Sequence, residues 1–213
     1  MLFKDRIDAG KKLAQELMHY KNKPNTLVIG LPRGGVPIAF EVAQALNLPM
    51  DIVVPRKIGA PMQEELALGA VTQEGALVLN KKLMQMHDIS LEELQSTIEK
   101  EKEEAQRRLS LYRSGRGLLN VKNKTILIVD DGIATGATIR AAIESLKLAR
   151  AGRIVIAVPT APMDTKNELD YEVDELVCLT TPTFFGGVGQ VYENFGQTKD
   201  EEVIDLMKKS RME

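Results

Sequence analysis

The chain has 213 residues, of which 44% are hydrophobic, and a formal net charge of −2 at neutral pH. These values favour a folded globular domain over disorder, and they give no bulk electrostatic reason to expect nucleic acid as a partner. The single cysteine, Cys178, excludes an intramolecular disulfide and a cysteine-cluster metal site. No apolar run approaches the roughly 20 residues of a membrane span, so we expect a cytoplasmic protein without a membrane partner.

Apolar runs and amphipathic segments alternate along the chain. The first part has predicted helices at 5–20 and 35–47 and predicted strands at 26–30, 50–55, 66–72 and 76–79. In the second part, the predicted strands are 125–130, 153–158 and 174–181, and the predicted helices are 137–150 and 200–210. Buried strands that alternate with helices predict an α/β fold with an open, mostly parallel twisted sheet and helices on both faces.

Residues 90–113 break this alternation because they form a long, highly charged segment without glycine or proline. Ser90 followed by Glu93 predicts a capping box, and many acid–base pairs stand at helical spacing. We expect a solvated helix here, which serves as a packing arm over the body or as a subunit contact. We therefore interpret residues 1–213 as one domain with a helical insertion at about 80–116.

The stretch TILIVDDGIATGATIRAAI combines two acids with a glycine-rich turn. Asp130 and Asp131 follow a buried strand, and the turn after them leads into a helix. Ligands of parallel sheets collect at the carboxyl ends of strands, and amides at the start of a helix bind anions. Gly136 lets the backbone approach a ligand, while Thr135 and Thr138 add hydroxyl donors. Because carboxylates repel phosphate but accept hydrogen bonds from sugar hydroxyls, the pattern predicts a ribose 5-phosphate site.

Three other interpretations of this stretch fit the sequence less well. A phosphorylatable receiver domain also has paired acids after a strand, but near its N-terminus and with a phosphate-accepting aspartate after a later strand. The next strand here ends in AVPTAP instead. A Walker loop needs a lysine where GLPRGGVP has Val36. An ordinary strand-to-helix turn would not require both acids and both threonines.

The stretch ILIVDDGIATGATIRAA resembles the phosphoribosyl-pyrophosphate (PRPP) signature of the type I phosphoribosyltransferases over more than a dozen consecutive positions. The resemblance implies that Asp130 and Asp131 hold the ribose, act in catalysis and contact magnesium, mainly through PRPP. Magnesium is the expected cofactor because pyrophosphate offers hard oxygen ligands. The expected ligands of the 5-phosphate are Ala134, Thr135, Gly136, Ala137 and Thr138.

Two further segments resemble the pyrophosphate-binding parts of this family. VIGLPRGGVPIA is similar to the loop after the first core strand, which often holds an unusual cis peptide, so we expect strain around Pro32–Arg33. VVPRKIGAPM carries an Arg-Lys pair just past the second strand, at the expected start of a mobile loop that closes over the site. The expected pyrophosphate ligands are Arg33, Gly34, Gly35, Arg56 and Lys57, and Arg33 and Lys57 are also expected to be catalytic.

The implied activity is transfer of the 5-phosphoribosyl group of PRPP to a nitrogenous acceptor, with release of pyrophosphate, in nucleotide metabolism. Some purine-salvage members have a proton-accepting aspartate at the position of Ala134, so hypoxanthine or guanine specificity is not implied. The alternative is a non-catalytic regulatory protein that binds PRPP or a nucleotide. Intact Arg33, Arg56 and Lys57 favour catalysis, whereas the basic cluster at 107–117 could serve nucleic-acid regulation.

A hood at about 181–198 is expected to recognise the acceptor. Its aromatic residues Phe184, Phe185 and Tyr192 could stack on a heterocycle. Hydrophobic packing beneath a glycine-rich loop is the other interpretation for each ring. The resemblance also implies a homodimer, with PRPP and a small acceptor as its ligands.

Overall fold

The computed structural model describes residues 1–61, 63–113 and 120–210. Its strands are β1 (Thr26–Gly30), β2 (Met50–Ile52), β3 (Arg56–Ala60), β4 (Gln63–Val71), β5 (Leu77–Leu79), β6 (Thr125–Val129), β7 (Arg153–Thr160) and β8 (Glu175–Thr180). Its α-helices are α1 (Arg6–Glu16), α2 (Gly35–Leu46), α3 (Lys81–Met86), α4 (Leu91–Arg113), α5 (Ala137–Leu148), α6 (Met163–Asp170) and α7 (Asp200–Lys209). Among the described residues, no helix combines the length and apolar character that a membrane crossing needs.

The main sheet has five parallel strands in the order β2-β1-β6-β7-β8. Side chains alternate between its two faces, so neighbours such as Ile128 and Val129 enter different hydrophobic clusters. One cluster includes residues of α1, α2 and α7, and the other includes residues of α5 and α6. The predicted parallel sheet with helices on both faces is therefore confirmed.

The strand predicted at 50–55 is shorter than expected, because β2 ends at Ile52. The backbone N–H of Val54 donates to Oε1 of Gln73 at 3.0 Å rather than to a neighbouring strand. Pro55 has no N–H to continue the ladder. The chain instead leaves the main sheet at this point and enters a second one.

The second sheet is small and antiparallel, with the order β3-β4-β5. The sequence predicted its last two strands but not β3, which carries the Arg-Lys pair. Ile58 and Leu68 of this sheet share a hydrophobic cluster with Leu94 and Ile98 of α4. The small sheet therefore gives α4 an apolar surface on which to pack.

Helix α4 is solvated on one face, capped at its start and anchored to the main sheet at its end. Ser90 and Glu93 form the predicted capping box, with the Glu93 amide 3.2 Å from Ser90 Oγ and the Ser90 amide 2.8 Å from Glu93 Oε2. At the other end, Arg113 donates to both carboxylate oxygens of buried Asp51, at 3.0 and 2.7 Å. The packing-arm interpretation accounts for these contacts. Residues 114–116 of the expected insertion, and the end of the basic cluster, lie outside the described residues.

Candidate active site

The acid pair stands where β6 ends, at the centre of the main sheet. The amide of Asp131 donates to Oδ1 of Asp130 at 2.8 Å. Oδ2 of Asp131 accepts from Nε and Nη2 of Arg6 at 2.9 and 2.8 Å. Each carboxylate thus has one oxygen engaged, and the described residues make no hydrogen bond to Asp130 Oδ2 or Asp131 Oδ1.

Burial dominates the electrostatics of these two carboxyls. Desolvation, followed by the charge of Asp131, raises the pKa of Asp130 well above its ordinary value. Desolvation also raises the pKa of Asp131, while the charge and hydrogen bonds of Arg6 oppose that rise. The pair is therefore poised to accept hydrogen bonds from a polar ligand that replaces lost water.

The turn after the acids leads into α5, where the Ala137 amide donates to Thr135 Oγ1 at 3.5 Å. Thr165 Oγ1 donates to the carbonyl of Ala134 at 3.2 Å, and Arg140 Nη1 donates to the carbonyl of Thr135 at 3.1 Å. Because N–H and C=O of a trans peptide point in opposite directions, the amides of Thr135 and Gly136 point away from these two side chains. Gly136 has φ +78°, a conformation that glycine adopts without strain. The turn has the form of an anion-binding nest.

The glycine loop after β1 lies directly against the acids. A Cβ atom on Gly34 would be 1.9 Å from Asp131 Oδ2, and one on Gly35 would be 2.7 Å from the carbonyl oxygen of Val129. The Pro32–Arg33 peptide is cis, as the resemblance implied. The Gly35 amide was expected to face pyrophosphate, but it donates to the carbonyl of Leu31 at 3.0 Å. Gly35 thus serves close packing, because its amide is already used.

Arg33 projects from this loop toward the C-terminal helix. Its Nη1 lies 3.6 Å from Oδ1 of Asp200, at the start of α7. The hydroxyl of Tyr112 donates to the same oxygen at 2.6 Å. Helix α4, predicted as a packing arm or a subunit contact, therefore helps to fix a carboxylate beside a predicted pyrophosphate ligand.

Arg56 and Lys57 do not start a loop, because both lie in β3 of the small sheet. Successive side chains of a strand point to opposite faces. Arg56 shares its face with Ile58, which packs on α4, and its Nε donates to Oε2 of Glu101 in α4 at 2.8 Å. Lys57 therefore points to the other face, and it is exposed. The two neighbouring side chains therefore lie on opposite faces of β3, and their shared pyrophosphate role stays a prediction.

The three hood aromatics have different environments. Phe184 is 89% exposed, and Phe185 is partly buried. Tyr192 is only 6% exposed, and its ring stacks on Phe195 at a centroid distance of 4.9 Å. Its hydroxyl donates to the backbone carbonyl of Asp131 at 2.7 Å. Tyr192 therefore packs beneath the loop in this structure, while its role toward an acceptor stays a prediction.

Sequence reasoning missed Arg6, Asp200 and the polar role of Tyr192. Arg6 is 125 positions from its partner Asp131, and it stands in an amphipathic helix where charged residues usually face solvent. Asp200 has the sequence context of an ordinary acid in the first turn of a helix. No local pattern distinguishes these residues from surface charges, so only the fold could find them.

An open parallel sheet carries the paired acids, the glycine-containing turn and the glycine loop at the carboxyl ends of neighbouring strands, which is where ligands of such sheets collect. The family model described as "Phosphoribosyl transferase domain" matches residues 3–195. The chain therefore belongs to the phosphoribosyl transferase domain family.

Named relatives agree with this assignment. The chain is 44% identical, over 97% of its length, to the Mycobacterium tuberculosis H37Rv protein "Putative phosphoribosyl transferase Rv0571c". It covers 46% of that protein, so it spans about half the length of the curated relatives that it matches. The solved structure of TT1426 from Thermus thermophilus is similar with a TM-score of 0.82 and 36% identity, covering 98% of this chain and 99% of that one.

Proposed function

We propose that this chain transfers the 5-phosphoribosyl group of PRPP to a nitrogenous acceptor, either a base or an amine. The lone pair of the acceptor nitrogen forms a bond to the anomeric carbon. The bond from that carbon to the pyrophosphate oxygen breaks, and its electron pair leaves with pyrophosphate. A proton of the acceptor nitrogen passes to solvent. The ring carries positive charge at the transition state, as in glycoside cleavage.

One observation carries the proposal: the glycine loop and the acid pair are in contact. A Cβ atom added to Gly34 would lie 1.9 Å from Asp131 Oδ2, so the loop backbone lies against the carboxylate. A ligand held by the loop would therefore lie next to a carboxylate. The nest at residues 134–138 begins three positions after Asp131. These groups match the chemistry of a sugar with an anion at each end. Hydroxyls would meet the acids, the 5-phosphate would enter the nest, and pyrophosphate would meet the loop.

The donor set fits a magnesium ion that the substrate and the protein would coordinate together. Among the described residues there is no cluster of three or more potential ligands. Asp130 and Asp131 each offer one oxygen without a hydrogen bond from a described residue. Mg²⁺ is commonly held by one or two carboxylates together with substrate phosphates and water. When bound through the acid pair, it would neutralise charge on pyrophosphate.

The chain's own residues would mainly position PRPP and stabilise the leaving group. Arg33 would pair with pyrophosphate oxygens, and Lys57 would add charge from the exposed face of the small sheet. Asp130 and Asp131 would orient the sugar beside the developing positive charge. Ala134 is exposed and cannot accept a proton, so this turn supplies no general base. An acceptor nitrogen with an available lone pair suits such a site. The proposal includes a homodimer as its expected assembly.

A non-catalytic PRPP-binding regulator is the second candidate, and the ion pairs of the two arginines favour it. Arg56 is held by Glu101, and Arg33 lies beside Asp200. Carboxylates next to these guanidiniums reduce the positive charge available to a departing pyrophosphate. A protein that only senses PRPP does not need to stabilise the leaving group.

Calorimetry with PRPP and Mg²⁺, followed by a pyrophosphate-release assay across a panel of bases and amines, tests the proposal. We expect binding, and release with at least one acceptor. Binding without release by any acceptor would favour the regulator, and no binding would contradict both candidates. The double variant Asp130→Asn with Asp131→Asn should weaken PRPP binding. The matched control is Asp205→Asn, which changes an exposed acid of α7.

A further inference from the structure

Arg6 stands at the junction of three parts of the candidate site. Its Nε and Nη2 donate to Asp131 Oδ2 at 2.9 and 2.8 Å. Its Nη1 donates to the carbonyl oxygen of Gly196 at 2.6 Å, and its guanidinium lies 4.0 Å from the centroid of the Phe195 ring. The side chain is only 13% exposed. A charged group this enclosed, which contacts both the acid pair and the hood, is unlike the exposed charged residues of α1.

The contact with Asp131 leaves a defined geometry for the carboxylate. Both guanidinium donors meet the same oxygen, Oδ2, which also lies against the backbone of Gly34. Oδ1 accepts no hydrogen bond from a described residue. A carboxylate held through one oxygen cannot rotate freely, so its second oxygen keeps a fixed direction. That oxygen is the one available to a ligand hydroxyl.

We propose that Arg6 is a positioning residue for ribose, which aligns the Asp131 carboxylate with the sugar hydroxyls and fixes residues 195 and 196 of the hood relative to the sugar. This role rests on the proposed function, because it assumes that ribose hydroxyls bind the acid pair. Arg6 itself contacts no reacting atom. It acts through Asp131 on one side and through the Gly196 carbonyl on the other.

Arginine and lysine could each hold a carboxylate at this position, but they would make different contacts. A guanidinium is planar and offers parallel donors in a rigid arrangement, whereas an ammonium is a rotating point charge. Arg6 uses one edge for Asp131, another donor for Gly196 and its flat face for Phe195. Lysine at this position would keep the charge and lose the simultaneous contacts.

A pair of ligands separates positioning of the sugar from general support of the fold. Ribose 5-phosphate and tetrahydrofurfuryl phosphate share the ring and the phosphate, but the second compound lacks the ring hydroxyls. Both affinities would be measured by calorimetry at one pH for the wild type, Arg6→Gln and Arg6→Lys. We expect the wild type to prefer ribose 5-phosphate. Arg6→Gln should lose about ten-fold or more of that affinity, the size of a charged hydrogen bond, with tetrahydrofurfuryl phosphate binding unchanged.

The control is Arg107→Gln, which removes an exposed arginine paired with Glu104 on α4 and should leave both affinities unchanged. Arg6→Lys should show a smaller loss for ribose 5-phosphate alone, and it carries the test if Arg6→Gln does not fold. Equal losses for both ligands, or none, would overturn the positioning role. A wild type that binds ribose 5-phosphate no better than tetrahydrofurfuryl phosphate would instead overturn the ribose assignment of the proposed function, and the role of Arg6 with it.

Discussion

Gly34 and Asp131 touch across neighbouring strands of the sheet, so closely that a Cβ atom on Gly34 would lie 1.9 Å from Oδ2 of the carboxylate. The contact joins the loop after β1 to the end of β6. Gly34 has φ −63°, an ordinary backbone conformation for any residue. The requirement for glycine at this position is therefore one of space and not of conformation.

Gly34→Ala should displace the Asp131 carboxylate and weaken ribose 5-phosphate binding. Because backbone and carboxylate must both move, we expect a loss of about ten-fold or more, corresponding to about 1.4 kcal/mol. The measurement is calorimetry, with thermal unfolding to follow the fold. Ser110→Ala, at an exposed position of α4, is the control. Unchanged affinity in Gly34→Ala would contradict a site at this contact.

Thr138→Val tests the nest at the start of α5. Removing a hydroxyl donor to a phosphate should cost about 1–3 kcal/mol of ribose 5-phosphate binding. Val and Thr have similar shapes, so the helix should keep its stability. The matched control is Thr97→Val in α4, and both variants would be titrated with ribose 5-phosphate. Equal affinities for the two variants would argue against phosphate in this turn.

Arg56 and Lys57 should differ in effect although they are adjacent. Lys57→Met is expected to weaken pyrophosphate binding. The exposed Lys57 side chain points to the face of β3 opposite the one that packs on α4. Arg56→Met should mainly lower stability, because it leaves Glu101 without its guanidinium partner. Pyrophosphate titration and urea unfolding of both variants distinguish these effects. A larger loss of pyrophosphate affinity in Arg56→Met would reverse the assignment.

The buried pair of Asp51 and Arg113 predicts a large stability effect at the end of α4. Breaking a buried ion pair by removing one partner is strongly destabilising, so Arg113→Met should lower the free energy of unfolding by about 3–5 kcal/mol. Arg107→Gln removes an exposed pair and should cost about 0–1 kcal/mol. Urea unfolding provides both values. If the two variants were equally stable, the pair would not anchor α4.

The raised pKa of Asp130 predicts a stability penalty at neutral pH. Burial raises the pKa of the folded state above the ordinary 3.8. When a carboxyl group is harder to ionise in the folded protein, the folded state loses stability as pH rises. The loss begins near the pKa of the unfolded state and continues to the pKa of the folded state. Asp130→Asn should therefore raise the free energy of unfolding at pH 7 relative to wild type, while it weakens ribose 5-phosphate binding.

Urea unfolding at several pH values checks this prediction. The difference between Asp130→Asn and wild type should grow as pH increases above about 4, the ordinary range of an aspartate. Asp205→Asn, on the exposed face of α7, should show no such growth. A pH-independent difference would mean that the pKa of Asp130 is the same in the folded and unfolded states.

The sequence by itself determined the main sheet and the location of the acid pair. Runs such as TILIV and RIVIAV are apolar throughout, which is what burial on both faces requires, and the capping box at Ser90 is a purely local device. The glycine-rich turn after Asp131 is equally local, because its amides and its helix follow one another along the chain.

Only the tertiary structure decided which charges lie at the candidate site. Arg6 reaches Asp131 across 125 positions, and Asp200 reaches the loop of Arg33 from the last helix. Arg56 and Lys57 are neighbours in sequence, but pairing of β3 with β4 sends them to opposite faces. The physical reason is that an ion pair depends on distance and direction in space, and the amphipathic period of a helix or strand records only which side faces the core.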